Sequence, residues 1–445
     1  MMPSGPAATA LERHLEQARE LDRDGKSAQA EAAYAGIAQA WPDNAEAVSR
    51  LAQFALDRDD APRAAQLLQH ALQAHPADGQ LALDLTVAYM GMEQSAQAIA
   101  TLEGSLARTP GFFEGWLMLG EIREAQGDAR GALKAWNQAI TRAQCAGFWH
   151  DRDSTPLPLL ETVLHAIDTV RRGRRELYFA AYDDLRARFG DDALKRVDKA
   201  LKAYIGEQKS PPPDARQRPR FFYFPDLPPT PYLDPYLQPW APTLRDAFPV
   251  IREEALRVFA EDQRFDDFVE LKGEARMQDY IGGNGPAPAW EALFFYRHGQ
   301  RYDSTHERCP RTSAVLESID LCRVEDEAPE ICFSVLTPGS TILPHYGVTN
   351  TRSVMHLPLQ VPPDCALNVM GIGEHRWREG ELMMFDDTYQ HEAWNRSSGT
   401  RIILLMDCWN PYLTEVERLA VKQLIETIGG LHRASQPLKA PRTRA

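Results

Sequence analysis

The chain lacks most of the features that would place it outside the ordinary globular class. Nowhere in its 445 residues is there an apolar run of about 18 residues, so no membrane span is expected. Its first residues mix acids and bases without an apolar core segment, which argues against a secretory leader. Six cysteines, at 145, 309, 322, 332, 365 and 408, form no CxxC pair. Reduced thiols and a cytoplasmic location are the expectation. Positive charge is also in short supply: 49 Lys and Arg stand against 63 Asp and Glu, a formal charge of −14. A polyphosphate surface would repel such a chain, so no nucleic-acid partner is expected. Only the C-terminal end, with Arg433, Lys439, Arg442 and Arg444, is locally basic, and its prolines and small residues read as a frayed tail. No GxGxxG, P-loop or Ser-His-Asp signature is present.

What is present begins with a repeat. Pro42, Pro76 and Pro110 recur every 34 residues, as do Ala30, Ala64, Ala98 and Ala132. A bulky residue follows each alanine at a fixed offset: Tyr34, Leu68, Leu102 and Trp136. This is the period of tetratricopeptide repeats, pairs of antiparallel helices whose small residues lie at close crossings. The prolines close the second helix of each pair. Trp116, Leu119 and Gly120 mark the clearest unit. Residues 1–150 are therefore read as a repeat domain offering a concave surface to a protein or peptide, or serving as a passive scaffold.

Helical spacing continues through residues 151–209, read as an extension of the solenoid. Ser210-Pro211-Pro212-Pro213 then breaks the chain, and 210–243 is an extended linker or an arm laid on a domain surface. Residues 244–430 open with an amphipathic helix, Leu244 to Phe259, and become a series of short strands. The strands are read at Leu293–Arg297, Glu330–Leu336, Thr341–Pro344, Ser353–Gln360, Ala366–Met370, Glu381–Phe385 and Thr400–Cys408. Turn residues separate them, and the series favours a sandwich or jelly roll over a parallel sheet. A closing helix is opened by Thr414 and Glu417 at capping-box spacing. Residues 431–445 are the basic tail. The fold class is thus multidomain: an α-solenoid followed by a double-stranded β-helix.

Within the β region His345, His391 and Arg401 occur in that order. Two neutral imidazoles can hold ferrous iron and leave coordination positions open. An arginine offers an always-charged fork to a carboxylate. Either histidine alone reads as a loop or core residue; with the arginine the set suits an iron oxygenase that takes a keto acid.

The surrounding residues resemble the aspartyl/asparaginyl β-hydroxylases. The resemblance runs through Phe333-Ser334-Val335-Leu336-Thr337-Pro338-Gly339, Pro344-His345-Tyr346-Gly347, Asn350, Arg352 and His356-Leu357-Pro358-Leu359. It continues through Trp377, Gly380, Phe385-Asp386-Asp387, His391-Glu392-Ala393-Trp394-Asn395 and Arg401. It covers roughly residues 217–410, with Pro229-Thr230-Pro231-Tyr232 and Pro310-Arg311-Thr312 upstream. It implies an Fe(II)- and 2-oxoglutarate-dependent dioxygenase that consumes O2, releases succinate and CO2, and hydroxylates an Asp/Asn-type residue of a protein or peptide. His345 and His391 would be the iron ligands. Arg401 and Ser334 would hold the distal carboxylate of 2-oxoglutarate, and His356 would lie near its other end. Arg352 would face the substrate.

Two departures stand out. Most 2-oxoglutarate oxygenases carry a carboxylate two residues after the first histidine; here that residue is Gly347, and the resemblance implies water in its place. Val354 stands where the animal members carry a second arginine, which leaves aspartate, asparagine and small-molecule substrates all open. The Asp386-Asp387 pair reads as a turn cap for one of its members. Two alternatives remain: a non-catalytic repeat adaptor with a degenerate β domain, and a cupin-type metal enzyme that does not use 2-oxoglutarate.

Overall fold

The computed structural model describes residues 6–262, 265–269 and 276–433. The basic tail, with Lys439, Arg442 and Arg444, lies outside the described residues. The chain divides into two compact units, with the boundary between Arg174 and Arg175.

The first unit is a stack of helix pairs: Pro6–Arg23 with Ser27–Ala40, Ala45–Leu56 with Ala61–Ala74, Gly79–Gly91 with Ser95–Arg108, and Phe113–Ala125 with Ala129–Cys145. Pro42, Pro76 and Pro110 each fall just beyond the second helix of a pair. Asn44, Asp60, Asp78 and Asp128 cap helix starts through their side chains. The repeating alanines are buried at the crossings, with Tyr34, Leu68, Leu102 and Trp136. Gly120 shows why small residues recur there: a Cβ on it would run into the indole of Trp136.

Helices Asp183–Phe189 and Lys195–Tyr204 fall in the second unit. The sequence placed them on the solenoid, with the break at Ser210. Their amphipathic pattern reports a buried face without saying against what. Arg196 forms a part-buried fork on Glu417, with Nε 2.7 Å from Oε1, and Lys199 pairs with Asp226 at 2.8 Å. Glu417 also accepts from Thr414 N–H at 2.9 Å while Thr414 Oγ1 accepts from Glu417 N–H, completing the capping box of helix Glu415–Arg433.

The proline-rich stretch is an arm on the β domain. Arg218 N–H donates to Thr388, and Asn350 exchanges two hydrogen bonds with the backbone of Phe224. Phe222 and Phe224 are fully buried.

The strands are β1 (Tyr232–Leu233), β2 (Asp266–Asp267), β3 (Ile281–Gly283), β4 (Trp290–Arg297), β5 (Gln300–Arg301), β6 (Ile331–Leu336), β7 (Ser340–His345), β8 (Arg352–Gln360), β9 (Cys365–Val369), β10 (Gly373–Arg376), β11 (Met383–Phe385), β12 (His391–Asn395) and β13 (Arg401–Trp409). They form two antiparallel sheets, one ordered β1-β11-β8-β13-β6-β4-β2 and the other β10-β9-β12-β7-β3. One face of the larger sheet packs on helices Ala241–Asp246, Phe248–Asp262 and Pro310–Glu317, with Phe295, Phe333, Leu357 and Leu404 in the core between them. Its other face meets the smaller sheet through Leu336, Phe385, Ile342, Leu367 and Ala393. This is the double-stranded β-helix, and its mouth carries the site.

Candidate functional site

The histidines come from neighbouring strands of the smaller sheet. His345 ends β7, His391 begins β12, and antiparallel register sets them opposite each other. Their ring centroids are 4.1 Å apart. Each ring is fixed from behind: His345 Nδ1 lies 2.8 Å from the carbonyl of Leu343, and His391 Nδ1 lies 2.9 Å from that of Tyr389. A ring whose Nδ1–H donates to a backbone carbonyl presents Nε2 as a lone pair. Burial lowers both pKa values, and with His345 alongside, that of His391 falls to about 3. Both are neutral, the form a metal requires.

The larger sheet supplies the facing wall. Arg401 opens β13 and is 1% exposed. Its Nη1 makes only long bonds, 3.4 Å each, to the carbonyl and hydroxyl of Ser334. Its Nε is buried without a partner. Burial pulls its pKa down to about 10, which leaves it charged at neutral pH. Trp290 Nε1 donates to Ser334 Oγ at 2.9 Å, and the Trp377 ring lies 5.1 Å from the guanidinium carbon. His356, on β8, accepts from Trp377 Nε1 at 3.3 Å through Nδ1, while its Nε2 is buried and unpartnered. Burial puts its pKa well below the usual histidine value.

These residues line one cavity of about 170 Å³, shared with Phe268, Val354, Phe385 and three acids, Glu330, Asp387 and Asp407. The structure therefore gathers His345, His391, Ser334, His356 and Arg401, but not Arg352. The Arg352 guanidinium is held 2.8 Å from Asp407 and 3.2 Å from the carbonyl of Glu327, and is not part of the cavity lining. Two residues along β8, Val354 faces the cavity in its stead.

Asp386 and Asp387 separate into two roles. Asp386 caps the turn, accepting from Thr388 N–H at 2.9 Å, and it accepts from Gln217 of the arm at 2.7 Å. Asp387 lines the cavity, and burial holds its pKa well above the usual carboxylate range. A Cβ at Gly347 would land on the Asp387 carboxyl group. The glycine found where a ligating carboxylate is usual thus makes room for a carboxyl from the turn between β11 and β12. Sequence reasoning missed Trp290, Glu330 and Asp407 altogether, for only the strand register brings them to the cavity. Among the described residues no cluster of three or more His, Cys, Asp or Glu is close enough to hold a metal, so any metal here would have to rely on the histidine pair.

Comparison with known proteins agrees with this architecture. Residues 245–411 match the family profile described as aspartyl/asparaginyl beta-hydroxylase, and residues 15–79 and 55–122 match tetratricopeptide repeats. The chain thus combines N-terminal repeats with a region that matches the domain model of that family. It is 28% identical over 259 residues to the mouse aspartate beta-hydroxylase domain-containing protein 2, spanning 57% of this chain and 71% of that one. It is 33% identical over 133 residues to the mouse aspartyl/asparaginyl beta-hydroxylase, but this is 29% of the chain and 17% of that protein. A solved structure titled "Crystal structure of MamA protein" covers 45% of this chain and 98% of its own at 17% identity, with a TM-score of 0.30, too slight a likeness to bear on the fold. No described helix is long and apolar enough to cross a membrane.

Proposed function

We propose that the chain is an Fe(II)- and 2-oxoglutarate-dependent dioxygenase that hydroxylates a residue of a protein or peptide. The observation that carries this reading is Arg401, buried and without an ion-pair partner among the described residues. A cation removed from water without an anionic partner is costly, and a site that tolerates one is built for an anion that arrives later. Ser334 completes a carboxylate-sized cradle with it. His356 Nε2, unpartnered in the same cavity, awaits a second polar group of the same ligand. A ligand anionic at one end and polar at the other, beside two neutral imidazoles with free Nε2 atoms, fits a keto diacid against iron.

The metal supplies oxygen activation when it is bound. One atom of O2 enters succinate as 2-oxoglutarate loses CO2; the other enters a C–H bond of the substrate as a hydroxyl. His345 and His391 would hold the metal through Nε2, their rings fixed by the carbonyls of Leu343 and Tyr389. Arg401 and Ser334 hold the distal carboxylate. Trp290, Trp377 and Phe385 keep water from the cosubstrate. Asp387 fills the space beside Gly347, where a ligating side chain would otherwise stand, and would offer a polar group there. The repeats offer a surface for a protein partner. The test is succinate formation by the purified chain given ferrous iron and 2-oxoglutarate. No succinate above the metal-free blank, with or without a cell extract as substrate, would refute the reading.

A further inference from the structure

Along β13 the side chains of Arg401, Ile403, Leu405 and Asp407 all line the cavity. Arg401 and Asp407 mark its two ends, roughly 20 Å apart at strand rise. Register places Val354 of β8 opposite Asp407, and Asp407 N–H donates to the carbonyl of Glu330, just ahead of β6. The row Val354–Asp407–Glu330 therefore closes the end away from the cosubstrate cradle.

Its chemistry is acidic. Asp407 Oδ2 accepts from Arg352 Nη1 at 2.8 Å and from Glu330 N–H at 3.0 Å. Its Oδ1 has no hydrogen-bond partner among the described residues. Glu330 Oε1 accepts from His298 N–H at 2.7 Å and also meets His298 Nδ1 at 2.8 Å, which leaves Oε2. Asp387 faces the same space. Of the nearby cations, Arg352 is paired with Asp407 and His298 lies against Glu330, while Arg297 donates to the carbonyl of Phe268, its guanidinium lying over Phe294. Where a second arginine would welcome an anionic substrate, Val354 offers a methyl surface. An aspartate side chain would meet the Glu330 carboxyl group here, with a methyl surface at position 354 in place of a donor.

We infer that the residue this enzyme selects carries a cationic side chain, an ammonium or guanidinium, received by Glu330 and Asp407. The chemistry at that residue rests on the oxygenase reading; the charge selection does not, and its test needs no turnover.

The full chain is immobilised at physiological salt and offered peptide libraries with a fixed central Lys, Arg, Asn or Asp and randomised flanks. The Lys and Arg libraries should be retained roughly tenfold or more over the Asp library. A protein of charge −14 also holds cationic peptides weakly over its whole surface, so the variants decide. Glu330→Gln keeps the acceptor for His298 and changes net charge by one, yet should cut the Lys/Asn retention ratio by roughly tenfold. Val354→Arg, which sets a cation opposite Asp407, should do the same and raise retention of the Asp library. Ratios unchanged in both variants, or an Asp or Asn library preferred by the wild type, would overturn the inference. Absence of succinate formation would remove the oxygenase reading and leave these ratios to be judged alone.

Discussion

Replacing Arg401 separates a binding residue from a structural one. The guanidinium is 1% exposed, and among the described residues its hydrogen bonds are two of 3.4 Å, both to Ser334. Arg401→Met keeps much of the apolar stem and removes a buried charge that nothing neutralises. The ligand-free variant should therefore melt no lower than the wild type. The effect on 2-oxoglutarate is opposite. Losing a charge-assisted, two-point carboxylate contact costs about 3 kcal/mol, or a Kd raised by roughly 150-fold. A ligand at about a hundred times its Kd stabilises the native state by about 2.7 kcal/mol. The same concentration would stabilise the variant by only about 0.3 kcal/mol. For a unit of this size that is a melting shift of about 5–10 °C reduced to about 1 °C. Thermal melts with ferrous iron, with and without 2-oxoglutarate under anaerobic conditions, read both quantities together. Arg401→Lys should recover part of the shift, since a point charge lacks the fork. A variant that loses several degrees without ligand yet keeps the full 2-oxoglutarate shift would refute the reasoning.

Other outcomes follow from the same geometry. His345→Ala or His391→Ala should abolish succinate formation while far-UV circular dichroism is unchanged, and wild-type turnover at saturating iron in either would remove the metal assignment. Gly347→Ala pushes a methyl into the Asp387 carboxyl group, so it should lower succinate formation more than a surface Gly→Ala change does. If that contact is the cause, adding Asp387→Ala should restore the fold's stability to near that of Asp387→Ala alone, whereas additive losses in melting temperature would argue against it. Deleting residues 1–174 leaves the Arg196–Glu417 pair intact, whereas deleting 1–209 strands the nearly buried Glu417; the longer deletion should unfold about 3–5 kcal/mol more easily in urea. Equal midpoints and slopes for the two fragments would show that helices 183–204 contribute nothing to the β domain.

What the sequence reveals of this fold depends on how local each signal is. The repeat was legible because its period is set by one local unit: Ala30 and Tyr34, repeated three more times, need only their neighbours to be understood. The strands carrying Ser334, His356 and Arg401 were legible because they are long and apolar on both faces. β12 was not, although it bears a key histidine. His-Glu-Ala-Trp-Asn has neither alternation nor length, and it is a strand because β7 and β9 pair with it on either side. The helices after Asp183 misled for a related reason: amphipathicity gives a face and withholds its partner, which proved to be the β domain.

The site divides along the same line. Arg401 and the histidines could be picked out because each residue type implies its chemistry. The opposite end could not, since Glu330, Asp407 and Val354 are ordinary residues until register sets them in one row. The same register explains Arg352, which the family resemblance had set against the substrate. Its strand position puts it beside Trp409, past the last cavity-lining residue of β13, and within reach of Asp407. A guanidinium that neutralises an acid at the cavity end tunes the charge seen there without touching what binds. Substrate charge in this chain is therefore set by a balance across three strands. Asp407 and Glu330 stand against Arg352 and His298, with Val354 abstaining, and one substitution at Glu330 or Val354 is enough to shift it.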